Sequence, residues 1–392
     1  MDTISREKLA NIIFQLCYKD SYAVHRQHYY AYRVNFRRDL IPEDLYDALL
    51  GEKAGFKTKF LQEPGNIVSS YDILKKRSIK NYQFKRRTLT GYPVEPRYGR
   101  FYPKGVLRDI AGIFPQNIEP FRCLEVGDTE IEIDFNHPLA DKRLSIEATV
   151  EKISSKPEER GGRCVDWIQT ITDGPGMQSR PDSKPTDFFP PDAFCRTDET
   201  PDKLFYRKPR YVYHIDQKAA ENVSEIYGSI LKPGMHILDL MSSWVSHLPS
   251  DSALASVTGL GLNGEELTAN KALSKYLVQD LNTEPVLPFE SDSFDAVICT
   301  SSVEYMTKPL ELFDQVYRIL KKDGPFVLTF SNRWFPPKVV KIWAEILEFE
   351  RIGLVLEYFI NSGKFKNLET IAIRGYPRPM EDKYFPKIRY SD

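Results

Sequence analysis

The chain has 392 residues, 41% of them apolar and 28% charged, with 54 Lys and Arg against 55 Asp and Glu. That length exceeds what one hydrophobic core usually serves, so two domains or more are expected. The net charge of −1 excludes a chain-wide cationic surface for nucleic acid, and 12% aromatic residues exclude a largely disordered chain.

No apolar run reaches the roughly 18 residues of a membrane span. The opening stretch MDTISREKLANIIF carries charges throughout and shows no signal-peptide pattern. Cys17, Cys123, Cys164, Cys195 and Cys299 are scattered, with no CxxC pair. An odd, dispersed set predicts reduced thiols and a cytoplasmic location, without a disulfide frame or zinc site. The six histidines are dispersed too, so no metal is expected.

Three regions differ in texture. Residues 1–154 mix short β-like runs with turn residues. Residues 155–208 are rich in Pro, Gly, Asp and Ser, which predicts an extended linker with helix only around Val165–Ile171. Residues 209–392 alternate helical and strand patterns, the mark of a parallel α/β sheet.

Within that last region Gln217–Leu231 is amphipathic and stops at Pro233-Gly234, and Asp216 stands where a helix cap is expected. His236–Leu240, Val257–Leu262, Tyr276–Gln279, Phe294–Thr300 and Phe326–Phe330 read as strands. Glu265–Ala272, Leu310–Leu320 and Pro337–Phe349 read as helices. Leu354–Asn361 and Leu368–Arg374 read as closing antiparallel strands.

HILDL, VTGLGLNGEEL, YLVQDLN, VLPFESDSFDAVICTSSVEYM and VYRILKKDGPFVLTFSNRWF follow in this order. Over roughly residues 209–375 the set resembles the class I methyltransferases of the type 11 kind, which predicts an α/β Rossmann-like fold. The resemblance implies S-adenosyl-L-methionine as cofactor, at the carboxyl ends of the strands. Asp239, Ser242, Ser243, Trp244, Asn263, Asp280, Leu281 and Thr300 are the binding positions carried over. Two anchors depart from the family. Met241-Ser242-Ser243-Trp244 stands where the glycine-rich turn belongs, and Gly261 where an acid grips the ribose. Ser242 and Ser243 would donate hydrogen bonds in place of glycine amides. Asn263 would take over from the missing acid. Trp244 either blocks the pocket or stacks on a ligand ring. Ser301, Ser302, Val303 and Glu304 line the expected mouth. His214 and Asp216 are candidate substrate contacts and His247 a candidate catalytic residue, while methyl transfer needs mostly positioning and no obvious general base. A form like LMSSWVSHLP, with RGGRCVDWIQT, GPGMQ and KPTDFF upstream, recurs in a methyltransferase-like group, so the altered loop belongs to a subfamily.

In the first region, LIPEDLYDALLGEKAGFKTKFL, PVEPRYGRFYPKGVLRDI and VGDTEIEIDFNHPLADKRLSIEATVEKI occur in order. Over most of residues 24–154 they resemble the FKBP/SlyD-type peptidyl-prolyl isomerases, an α+β fold. Such a site is an apolar cup that desolvates an X-Pro amide and favours its twisted form. Tyr98, Ile41 and Leu45 are the cup residues carried over, with Leu40 and either Leu144 or Ile146 beside them. The family's FDSS segment has no counterpart in YAYRVNFRRDL, where Asp39 is the nearest acid. The flap insert before NHPLA is shortened, and His137 reads as a turn residue.

Between these motifs lies a basic insertion near residues 66–92. Over residues 66–108 eleven bases stand against Asp72 and Glu95, a local excess of nine. It reads as a solvated loop or as a dock for an acidic partner or nucleic acid.

The expected domains are therefore 1–154, isomerase-like; 155–208, linker; and 209–392, methyltransferase-like. The implied function is a methyltransferase joined to a module that holds a proline-containing polypeptide. The alternative is a non-catalytic scaffold or assembly factor built from degenerate forms of both folds.

Overall fold

The computed structural model describes residues 2–87, 93–155, 162–174 and 176–392. Residues 88–92 of the basic insertion and 156–161 of the expected linker lie outside the described residues. The chain forms two units. The first comprises residues up to Phe188 with Leu347–Leu356 and Asn367–Pro377; the second comprises Phe189–Ile346, Glu357–Lys366 and Arg378–Asp392.

The first unit opens with β1 (Lys8–Lys19) and β2 (Ala23–Asn35), followed by helix α1 (Glu43–Leu49) and β3 (Lys57–Gln62). From Ile12 to Tyr18 every second residue of β1 is buried, the period of a half-covered strand. A register shift between Ala10 and Ile12 breaks that period, so Leu9 and Ala10 are both buried. Four short strands come next: β4 (Lys76–Lys80), β5 (Phe101–Pro103), β6 (Pro120–Val126) and β7 (Glu130–Asp134). They pair in the order β4-β7-β6-β5, over a core of Ile79, Phe84, Tyr102, Phe121, Ile131 and Ile133. The long β8 (Leu144–Ser155) returns to lie between β1 and β3.

The described part of the basic insertion is thus not wholly a solvated loop. Its residues 76–80 are the edge strand β4, because Ile79 buries itself on this core while its neighbours stay outside. Six of the eleven bases have acidic partners: Lys76 with Glu132, Lys80 with Glu130, Arg86 with Glu95, Arg97 with Asp187, Arg100 with Glu350 and Lys104 with Glu119. Most of these are exposed pairs of small energy. The acids supplying them lie mainly outside the basic stretch, so the local excess overstates the charge presented.

The described part of the expected linker is also ordered packing. α2 (Trp167–Thr172) is capped by Asp166, and Leu40 exchanges backbone hydrogen bonds with Val165 and Trp167. Trp167, Met177 and Phe188 are buried. The boundary between units falls after Phe188, inside the stretch expected to be a spacer.

In the second unit α3 (Asp202–Phe205) precedes the amphipathic α4 (Gln217–Ile230). Asp216 accepts a hydrogen bond from the Ala219 amide at 3.0 Å, the expected cap. Then come β9 (His236–Leu240), β10 (Ser256–Gly261), α5 (Gly264–Ala269), β11 (Lys275–Val278), β12 (Ala296–Thr300), α6 (Pro309–Ile319) and β13 (Phe326–Thr329). The five strands are parallel and ordered β11-β10-β9-β12-β13. Tyr227 of α4 and Leu231 just after it pack on Ile237, Val257, Ala296 and Ile298 of the sheet.

Three expectations fail near the C-terminus. The helix expected over Pro337–Phe349 shrinks to α7 (Lys341–Glu345). Lys338 is fully buried, and its ammonium needs the carbonyl of Asp198 at 3.1 Å and the carboxylate of Asp202 at 3.3 Å. Leu354–Asn361 lies in helix α8 (Glu350–Ser362), since an apolar run cannot be assigned to strand or helix by periodicity alone. Leu368–Arg374 is a strand, β14, but it pairs in parallel with β2 of the first unit. That pairing completes the sheet β14-β2-β1-β8-β3 and leaves the parallel sheet at five strands.

No described helix is long and apolar enough to cross a membrane, and the described residues hold no cluster suited to a metal ion.

Candidate functional sites

The carboxyl ends of β9, β10, β11 and β12 gather the positions expected to bind a cofactor. β9 ends at Leu240, and Met241 follows with φ 56°, a left-handed conformation that a methionine rarely takes. The turn then folds back on the sheet. The Ser242 amide donates to the Leu260 carbonyl at 2.8 Å. The Ser242 and Ser246 hydroxyls both donate to one carboxylate oxygen of Asp239, each at 2.6 Å. Asn270 braces the turn from α5, donating to the Ser243 carbonyl and the Ser246 hydroxyl. Asp239 is 2% exposed, and burial pushes its carboxyl up to about 6 although both serines favour the charged form.

The neighbouring positions are also committed. The Ser243 hydroxyl donates to Glu266 at 2.6 Å. The Trp244 indole N–H donates to the Val212 carbonyl at 3.2 Å, and its ring lies 4.8 Å from Tyr213 and 6.3 Å from Tyr211. Asn263 caps α5 through its oxygen, and its amide nitrogen donates to the Tyr206 carbonyl at 2.8 Å. Asn282 donates to Asp202 at 2.8 Å. The segment Asp202–Tyr213 therefore spans the loops after β9, β10 and β11.

Asp280 caps its own turn, taking hydrogen bonds from the amides of Asn282 and Thr283 and the Thr283 hydroxyl. Leu281 beside it is buried. A cavity of about 460 Å³ opens here, lined by Asp280, Asn282, Thr283 and Thr307 together with Phe194 and Arg196. Arg196 meets both carboxylate oxygens of Asp202, which Lys338 also contacts. Thr300 shares a 2.6 Å hydrogen bond with Tyr227, and Ser302 donates to the Thr300 carbonyl. His214 and His247 are both held below the usual histidine range, chiefly by burial.

The sequence did not reveal Arg196, Asp202, Ser246, Asn282 or Thr307. Arg196 and Asp202 lie in a Pro-rich stretch with no periodicity to mark them. Ser246 carries a weak signal, a second serine one turn beyond Ser242.

The expected cup in the first unit is divided. Leu45, Leu144 and Ile146 are buried in the main core, and Ile41 packs against it. Leu40 is 57% exposed. Tyr98 belongs elsewhere: its hydroxyl donates to the Pro181 carbonyl at 3.1 Å. Asp39 is structural, accepting from the Asn35 and Val165 amides and the Trp167 indole. His137 accepts the Leu139 amide within the turn, and burial lowers it to about 4.

Residues 242–328 match the family model described as a methyltransferase domain. Over 85 residues the chain is 31% identical to the biotin biosynthesis bifunctional protein BioHC of Teredinibacter turnerae, a stretch covering 22% of this chain and 13% of the relative. Among solved structures it is similar to an S-adenosylmethionine-dependent methyltransferase from Mesorhizobium loti. That likeness has 24% identity and a TM-score of 0.24, over 28% of this chain and 52% of the other. A SAM-dependent methyltransferase from Aquifex aeolicus is similar at 18% identity, with a TM-score of 0.28, over 40% and 85% of the two chains. The chain thus spans a small part of its curated relative and about half of the Mesorhizobium structure. These comparisons lend no support to the isomerase resemblance of the first unit, and the enzyme match does not favour the scaffold alternative.

S-Adenosyl-L-methionine joins a nucleoside to an amino acid through a sulfonium. The cavity beside Asp280, Leu281 and Thr283 is of the size a nucleoside-scale ligand needs, so that end fits. The ribose acid of the family has no room: a Cβ on Gly261 would lie 2.1 Å from the Ser242 carbonyl oxygen. The second unit has a Rossmann-like class I methyltransferase fold, within which residues 242–328 match a methyltransferase domain, and that match supports S-adenosyl-L-methionine as its cofactor.

Proposed function

We propose that this protein is an S-adenosyl-L-methionine-dependent methyltransferase joined to a prolyl-isomerase-like module that holds a proline-containing polypeptide. The observation that carries the first half is a coincidence of place. The matched residues 242–328 hold β10, β11, β12 and nearly all of β13, the strands that flank β9 in the parallel sheet whose carboxyl ends gather Asp239, Asn263, Asp280 and Thr300. When bound, the cofactor supplies an electrophilic methyl group. Asp280 and Thr283 hold its nucleoside end in the cavity. Tyr227 fixes the end of β12 through Thr300. Burial holds His214 and His247 below the usual histidine range, which favours the uncharged ring that can take a proton from the acceptor. Phe194 and the Arg196–Asp202 pair also line the cavity.

The test is calorimetry of the whole chain with S-adenosyl-L-methionine and S-adenosyl-L-homocysteine. Binding in the micromolar range is the expected result, and no heat at millimolar ligand overturns the reading.

What supports the second half is the chain-ordered set of isomerase-like motifs, together with α1 placing Leu45 on the antiparallel sheet. A protease-coupled assay on a proline peptide tests it. A rate equal to the uncatalysed one removes isomerisation and leaves peptide holding to be measured directly.

A further inference from the structure

Four side chains of the first unit grip one stretch of its own backbone. The Gly176 amide donates to the Tyr18 hydroxyl at 2.6 Å. Arg122 donates to the Ser179 carbonyl at 2.8 Å. Tyr98 donates to the Pro181 carbonyl at 3.1 Å, and Tyr22 to the Ser183 carbonyl at 2.9 Å. The Gly176 amide and the carbonyls of residues 179, 181 and 183 are thus each read by a different side chain, from β1, β6, the Tyr98-Gly99 turn and the β1–β2 turn. None of these bonds depends on the side chains of the bound stretch. The side chains add two further contacts, since Arg180 lies over the Tyr22 ring at 4.6 Å and Lys184 over the Tyr98 ring at 5.9 Å. Pro181 between them is buried.

The seat is imperfect. The Gln178 amide nitrogen and the Arg122 Nε are buried without a hydrogen-bond partner. Asp182 and Ser183 sit at φ 48° and 58°, in the left-handed region. An unmet buried donor and a left-handed non-glycine residue each disfavour the seated state. The stretch is therefore held by bonds that a similar backbone can replace, at a cost that a better-fitting backbone avoids.

We propose that Tyr18, Tyr22, Tyr98 and Arg122 form a binding groove for an X-Pro polypeptide in a turn conformation flanked by basic residues, and that residues 176–186 occupy it as a built-in competitor. A foreign polypeptide binds when it displaces this stretch. The inference rests on reading the first unit as a polypeptide-holding module, and adds the groove, its ligand class and its resident occupant.

The test uses the full chain and a fluorescein-labelled synthetic peptide of residues 176–186, GMQSRPDSKPT, followed by anisotropy. The Arg180→Ala/Pro181→Ala variant, with its own stretch weakened, is expected to bind the peptide at least tenfold more tightly than the wild type. Adding Tyr98→Phe is expected to reverse that gain. Equal affinity in wild type and variant overturns the occupancy but leaves the module reading standing. No binding by either, with no isomerisation of a proline peptide, overturns both. If the double variant does not fold, amide exchange of the wild type decides. Excess unlabelled peptide speeds exchange across residues 176–186 if the stretch is displaced, and unchanged exchange overturns the proposal.

Discussion

The carbonyl oxygen of Ser242 stands where a side chain on Gly261 would begin, 2.1 Å from an ideal Cβ. The turn after β9 and the end of β10 are therefore complementary. Once the turn closes down on β10, only glycine fits opposite it. The two departures from the family pattern, a lost glycine-rich loop and a lost acid, form one structural change.

Gly261→Asp, which restores the family's acid, is expected to destabilise the protein by about 1–3 kcal/mol, the usual effect of overpacking. It should not tighten cofactor binding. Thermal melting and calorimetry check this together, and a variant that binds S-adenosyl-L-methionine more tightly without loss of stability contradicts it.

Asp239 is a second consequence of the closed turn. Its carboxyl titrates near 6 in the folded chain, against about 4 when unfolded. The folded chain therefore holds the extra proton between those values, and stability falls as pH rises through that window. Asp239→Asn removes the effect. Between pH 4 and pH 7 the stability of the wild type relative to this variant should drop by roughly 2–3 kcal/mol. Urea denaturation across that range measures it, and a pH-independent difference refutes it.

Arg100 and Glu350 form a buried pair at 2.9 Å, and Glu350 also accepts the Phe101 amide at 2.9 Å. Glu350→Ala leaves a buried guanidinium and an amide without their acceptor. A loss of about 3–5 kcal/mol is expected in chemical denaturation. A loss below about 1 kcal/mol shows that water enters the site and restores the bonds.

Asp280→Asn keeps the size of the side chain and removes its charge. The affinity for S-adenosyl-L-methionine should fall about tenfold, equivalent to about 1.4 kcal/mol, while the melting temperature changes little. An unchanged dissociation constant places the nucleoside away from Asp280.

Much of the second unit was legible in its sequence. Asp216 before an amphipathic run marked the start of α4, and HILDL marked a buried strand. Both signals are local, carried by side chains a few positions apart. Leu368–Arg374 shows where such signals end. Its strand character was plain, but its partner was not. It was expected beside the parallel sheet and instead pairs with β2, more than 300 residues earlier. Cross-strand pairing depends on which edge is open, and an edge exists only in the folded chain. The site divides similarly. Asp239 and Asp280 became candidates through their motifs, whereas Arg196 and Asp202 sit in a Pro-rich stretch without periodicity. Tyr98 became a candidate the same way, but nothing local pointed to the Pro181 carbonyl that it binds 83 positions away.

Length, composition and periodicity alone established that the chain divides, that its C-terminal half alternates helices with buried strands, and that residues 241–244 hold no glycine. These properties are encoded in spacing along the chain, where hydrophobic period and turn chemistry act over a few residues. Only the tertiary structure decided what stands in each space: the Ser242 carbonyl against Gly261, Asp202 against Asn282, and Pro181 against Tyr98. Such contacts join residues far apart in sequence, and packing in three dimensions selects them. The net charge is set by composition, but the local neutralisation of the cationic stretch is spatial, because six of its bases are matched by acids that folding brings beside them.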